Sequence, residues 1–217
     1  VYGVAQLSGS ASTTALTDKS KYPFFSRLTA STQEQTNAIR DVILYYSSFG
    51  EGWDSVGLIA TSDEYGIDTA TNFINNPGKI EISTYQQYIK DQLDLTVELS
   101  ELKKSGARVF FAAIFRGWDN LIHSANDTGL VGENYVWFVS HVVAGATLQN
   151  DSTVELSRGV IGAFQFIPNS GETYDAFVSR WQSLDPNDYF GTGPDSIPGP
   201  FTLLYYDMVI AAGYAAQ

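Results

Sequence analysis

The residues best placed for chemistry sit in a short polar loop, Ser62, Asp63, Glu64 and Tyr65, directly after the apolar run SVGLIA at 55–60. That run predicts a buried strand. Ile67, Ala70, Phe73 and Ile74 then recur at helical spacing. Strand, short loop and helix form the repeating unit of an open parallel sheet, and such sheets take ligands beyond the carboxyl ends of their strands. The loop therefore stands where a ligand would bind. A second polar loop, SGSASTT at 8–14, is rich in hydroxyls and small side chains. By itself it reads as an ordinary Ser/Thr-rich turn.

Catalytic patterns are sparse. His123 and His141 are the only histidines and there is no cysteine, so histidine triads, thiolate nucleophiles and metal clusters have few possible members. Gly191-Thr192-Gly193 imitates the start of a dinucleotide fingerprint, but it lacks the third glycine and lies in a proline-rich loop. No spacing of carboxylates demands acid–base work. The expectation is a protein that is not an enzyme and needs no metal or cofactor.

The elements around the loop repeat its unit. A helix is predicted over 31–49, with Ser31 and Glu34 at capping-box spacing, Ile39, Val42, Ile43 and Tyr46 on one face, and Gly50 at its end. Strands are predicted at 1–7, 24–28, 79–84, 108–114, 135–139 and, within 158–167, at 159–166 (GVIGAFQF). Helices are predicted at 93–104, 118–128, 172–184 and 201–216, and residues 141–157 read as irregular. RVFFAAI at 108–114 is the most hydrophobic strand, as a central strand covered on both faces requires. This alternation argues for a parallel α/β sheet with right-handed crossovers.

With 24 acidic and 12 basic residues, the chain would repel phosphate backbones, so nucleic acid is excluded as a partner. Its 44% hydrophobic content supports a packed core rather than disorder. No apolar run is long enough to span a bilayer. The sequons at Asn126 and Asn150 are possible glycosylation sites, which would place both on an extracellular surface.

Several separated blocks carry a resemblance. AQLSGSASTTALTDKSKYPFFSRL, WDSVGLIATSDEYGID, SGARVFFAAIF, GENYVWFV, RGVIGAFQF and LLYYDMVIAAGYA occur in the order found in the receptor-family ligand-binding region. The chain resembles the type I periplasmic-binding-protein-like extracellular domains of GABA-B and metabotropic glutamate receptors, class C G-protein-coupled receptors, over nearly its whole length. GENYVWFV is most like the GABA-B branch. The resemblance implies two parallel-sheet lobes joined by a hinge. Residues 1–26 and 159–217 would form part of lobe 1, and 27–158 a complete lobe 2. It also implies a domain cut at both ends, with any membrane contact made by segments outside this chain.

By the same resemblance, Ser10, Ala11 and Ser12 stand where amino-acid-sensing relatives grip the ligand's carboxylate or amine. Tyr65 stands where a tyrosine covers the amino group, an attraction worth about 0.5–2 kcal/mol. Phe115 takes the place of a ligand-contacting tyrosine without its hydroxyl, and Arg116 beside it would face an anion unless it is simply solvated surface. His141 and Thr32 replace two aspartates of the glutamate receptors. That substitution weakens the case for an α-amino acid, because a buried ammonium needs compensation. The implied function is an extracellular sensing domain that binds a small amino-acid-like molecule between the lobes, dimerises through lobe 1 as a homo- or heterodimer, and signals by closure. The alternatives are a solute-binding protein of a transporter, a receptor guanylate cyclase ectodomain, or an interaction module with an empty cleft.

Overall fold

The computed structural model describes residues 3–50 and 52–216. It contains two parallel sheets. The smaller pairs β1 (Gln6–Ser8) with β2 (Phe25–Arg27). Parallel strands need a crossover, here residues 9–24 with a single 3-10 turn at Thr14–Thr17. The strand expected over 1–7 begins only at Gln6, and Val1 and Tyr2 lie outside the described residues.

Helix α1 (Thr32–Ser47) starts on the expected capping box. The Ser31 side chain accepts from Glu34 N, and the Glu34 carboxylate accepts from Ser31 N at 2.7 Å. These bonds hold the Glu34 carboxyl below its usual range. Strand β3 (Ser55–Thr61) and helix α2 (Glu64–Asn75) follow. The next elements are β4 (Glu81–Tyr88), α3 (Thr96–Lys104), β5 (Val109–Ala113), α4 (Trp118–Thr128) and β6 (Val136–Val139).

The larger sheet runs β4-β3-β5-β6-β7, all parallel, with β7 at Ile161–Gly162. Side chains alternate across it, as a period of two requires. Val56, Leu58, Ala60, Val109, Phe111 and Ala113 meet Ile39 and Ile43 of α1 and Ala70 and Phe73 of α2 on one face. Ile59, Phe110 and Ala112 meet Leu99 and Leu102 of α3 and Leu121 and Ile122 of α4 on the other. The fully buried pattern of β5 confirms it as a central strand. The predicted faces of the helices were too wide: Tyr46 and Ile67 are exposed.

Two expectations are corrected. Residues 141–157 are not irregular but form two short helices, α5 (His141–Ala144) and α6 (Asp151–Leu156). Asn150 starts α6 by accepting from Ser152 N at 3.0 Å, and neither helix is long enough to show a period. The strand expected over 159–166 shrinks to β7. Gly162 allows that close approach, since a Cβ there would lie 2.4 Å from the Ala144 methyl. Beyond it, the Gln165 side-chain oxygen accepts from Thr29 Oγ1 and Ala30 N at 2.8 and 3.2 Å. Two chain segments are thus tied side by side where they pass between the sheets. Ile161 and Gly162 lie in the larger sheet, past the boundary at 158 that the resemblance implied.

Helices α7 (Glu172–Gln182) and α8 (Pro200–Ala215) complete the chain, and α8 lies against β1. Among the described residues, no helix is long and apolar enough to cross a membrane.

Candidate functional site

A cleft of about 630 Å³ opens at the carboxyl ends of the strands. One wall is built from four successive strand ends of the larger sheet. Asp63, Glu64, Tyr65 and Asp68 follow β3, Lys90 follows β4, Phe115 follows β5, and His141 and Val142 follow β6. In the sheet, β4 and β5 flank β3 on opposite sides, so the chain changes direction there and its loops part. The facing wall is the loop after β1, Ser10 to Thr13, with Phe201 and Tyr205 of α8 beside it.

Local chemistry places each wall. Asp63 caps α2: its Oδ1 accepts from Gly66 N at 2.9 Å and from Thr61 Oγ1 at 3.1 Å. Position 66 must be glycine, because a Cβ there would lie 2.1 Å from the Thr61 carbonyl oxygen. This tight turn sets Tyr65 in the first turn of the helix, over the cleft. Its hydroxyl lies 2.9 Å from His141 Nδ1, and its ring meets Phe115 edge-on at 5.4 Å. Burial pushes the Tyr65 pKa up to about 12. Burial also pulls the His141 pKa down to about 4, so this wall presents a neutral imidazole at pH 7. The His141 ring also contacts Phe201, with centroids 5.9 Å apart.

The opposite loop is held from behind. Arg27 Nη1 donates to the carbonyls of Ser12 and Thr13 at 3.2 and 2.9 Å and reaches that of Ala11 at 3.5 Å; its Nη2 donates to Thr17 Oγ1. Thr32, buried, donates from N and Oγ1 to the Ser12 carbonyl at 2.8 and 3.0 Å. It is a support for the loop and not a lining residue. Ser8 Oγ accepts from Ser10 N and Ala11 N at 3.2 and 2.9 Å. The backbone N–H groups of Ser12 and Thr13 have no acceptor among the described residues. Both residues line the ligand-sized space, and unpaired N–H groups on such a loop suit a carboxylate. Ser10 Oγ lies 2.7 Å from the Tyr205 hydroxyl, and Asp68 Oδ2 accepts from Thr14 N at 3.2 Å across the cleft.

Of the expected site residues, Ser10, Ala11, Ser12, Tyr65, Phe115 and His141 come together around one space. Arg116 does not join them. It lines a separate groove and pairs with Asp91 at 2.9 Å. Asp68, Lys90, Phe201 and Tyr205 were not anticipated, and Tyr205, read as core or interface, lines the cleft. Spacing could have found Asp68, which lies three residues after Tyr65 on the same helix face. Asn126 and Asn150 are exposed, the first near the end of α4 and the second capping α6. His123 Nε2 lies 3.3 Å from Ser152 Oγ and 3.9 Å from Asp119 Oδ1. Acid and hydroxyl share one ring nitrogen, which is not the relay geometry of a nucleophilic triad. Among the described residues, no group of side chains is arranged to hold a metal ion.

Parallel sheets that meet at a cleft beyond their strand ends define a ligand-binding α/β protein. The chain belongs to the receptor family ligand binding region, whose family model matches residues 1–217. Among its relatives is "Glutamate receptor 2.1" of Arabidopsis thaliana, 24% identical over 169 residues, which cover 75% of this chain and 18% of that protein. "Glutamate receptor 2.3" of the same plant is 26% identical over 170 residues, with 76% and 18% covered. "Metabotropic glutamate receptor-like protein E" of Dictyostelium discoideum is 25% identical over 203 residues, with 87% and 23% covered. The chain therefore spans about a fifth of these relatives' lengths. It is a receptor ligand-binding region related to glutamate receptors.

Proposed function

We propose that this chain is the sensing part of a transmembrane receptor that binds a small amino-acid-like molecule in the cleft and signals by closing around it. The observation that carries this reading is the pairing of opposite walls: open N–H groups of Ser12 and Thr13 on one side, Tyr65 and its neighbouring carboxylates on the other. The ligand's carboxylate meets the N–H groups. Its ammonium meets the ring face of Tyr65 and the carboxylates, which supply the compensation a desolvated ammonium needs. Binding drives closure only by the difference in affinity between open and closed forms. The bond between Thr14 N and Asp68 crosses the cleft and favours the closed form.

In this reading, residues 1–26 and 159–217 belong to one lobe and 27–158 to the other, with Ile161 and Gly162 continuing the second lobe's sheet. Dimerisation runs through the first lobe. The domain faces the outside of the plasma membrane, where Asn126 and Asn150 carry glycans. The output is of the class C G-protein-coupled kind, a reading supported by the likeness to the metabotropic-like relative.

Titration calorimetry against a panel of L-amino acids tests the reading. Saturable heat from at least one of them is expected, with a large loss of affinity in the Tyr65→Ala variant. Silence across the panel, or an unchanged affinity in that variant, contradicts it.

A further inference from the structure

The charges around the cleft point to which amino acids it takes. Three cationic side chains lie near it. Arg27 is committed behind the loop, with its guanidinium spread over the carbonyls of Ala11, Ser12 and Thr13 and the Thr17 hydroxyl. Arg116 is committed outside the cleft, to Asp91. Lys90 alone of the three lines the space, and it shares that lining with three carboxylates: Asp63, Glu64 and Asp68. Hydrogen bonds to Asp63 from Gly66 N and to Asp68 from Thr14 N and Asn72 Nδ2 orient these groups without neutralising them. His141, buried among rings, adds no positive charge.

One carboxylate of a ligand has a place, at Ser12 N–H and Thr13 N–H. A second carboxylate has none of the bidentate arginine partners that recognise such groups well. It would instead enter a space where carboxylates outnumber ammonium groups. A net charge of −12 on the whole chain deepens the same field and favours the approach of cations.

We infer that this cleft selects amino acids with a positively charged side chain over neutral ones, and neutral ones over dicarboxylates such as glutamate. The inference rests on the proposed function, because it assumes that an amino acid occupies the cleft. Its substance is that both arginines near the site are spent elsewhere while three acids remain exposed to the ligand. The names of the relatives alone would suggest the reverse order.

The test is calorimetry of the chain with L-lysine, L-norleucine and L-glutamate, which are similar in length and differ in side-chain charge. At low salt, lysine is expected to bind at least about tenfold more tightly than glutamate, the scale of one charge pair at contact distance in a solvated site. The gap should narrow at high salt. It should also narrow in Glu64→Gln, which removes an exposed acid with little risk to folding. Glutamate binding as tightly as norleucine or more so overturns the inference and leaves the receptor reading intact. A lysine preference unchanged by both salt and Glu64→Gln also overturns it, since selection would then lie elsewhere. No binding of these three or of any other amino acid overturns both readings.

Discussion

The Tyr65 hydroxyl lies 2.9 Å from Nδ1 of His141, joining the first turn of α2 to the start of α5 across the ends of two strands. His141 is buried and Tyr65 partly so, and each supplies the other a hydrogen-bond partner. Tyr65→Phe keeps the ring contact with Phe115 but leaves the buried Nδ1 unpaired. The expected loss is about 1–2 kcal/mol of stability by urea denaturation. An unchanged midpoint would mean that the bond contributes nothing.

The same pair gives a pH dependence. Burial lowers the His141 pKa from its ordinary 6.5 to about 4. Between those values the unfolded chain binds the proton and the folded chain does not. Stability is therefore retained above pH 6.5 and falls as pH drops toward 4, by about 3 kcal/mol in total. His141→Gln should flatten this slope between pH 6.5 and 4. Equal slopes for the parent and the variant would assign the dependence to other groups.

Arg27 should govern the order of the ligand loop. Its guanidinium holds three successive carbonyls that a lysine ammonium cannot span together. Arg27→Lys is expected to raise amide hydrogen exchange across residues 10–14 while leaving β3 and β5 protected. A uniform rise over both sheets would mean that Arg27 acts on global stability instead.

Gly66 is required by the approach of α2 to the end of β3. Gly66→Ala would put a methyl against the Thr61 carbonyl, and backbone on both sides leaves little room to yield. A cost of about 3 kcal/mol is expected, the scale of overpacking in a tight site. Thermal melting checks it, and a variant as stable as the parent would show that the turn relaxes freely.

The sheet was legible because its central strands carry the pattern of full burial. SVGLIA and RVFFAAI are apolar on both faces, and no solvent-facing strand reads that way. The Ser31–Glu34 capping box was legible from spacing alone. The helices after β6 were not, since α5 covers four residues and a 3.6-residue period needs more. Tyr65 was readable from its place after a buried strand. Tyr205 was not, because its part in the cleft depends on α8 lying against β1, a contact between distant parts of the chain. Arg27 and Thr32 act on carbonyls of the loop rather than on the cleft, and no side-chain pattern in the sequence reports a backbone acceptor.

The central claim is that one ligand touches both walls at once. Amide and side-chain NMR during titration with the tightest-binding amino acid tests it most directly. The account predicts concerted shifts at Ser12 and Thr13 on one wall and at Tyr65 and His141 on the other, saturating at a single ligand concentration. Shifts confined to one wall, or centred on another surface, would contradict it.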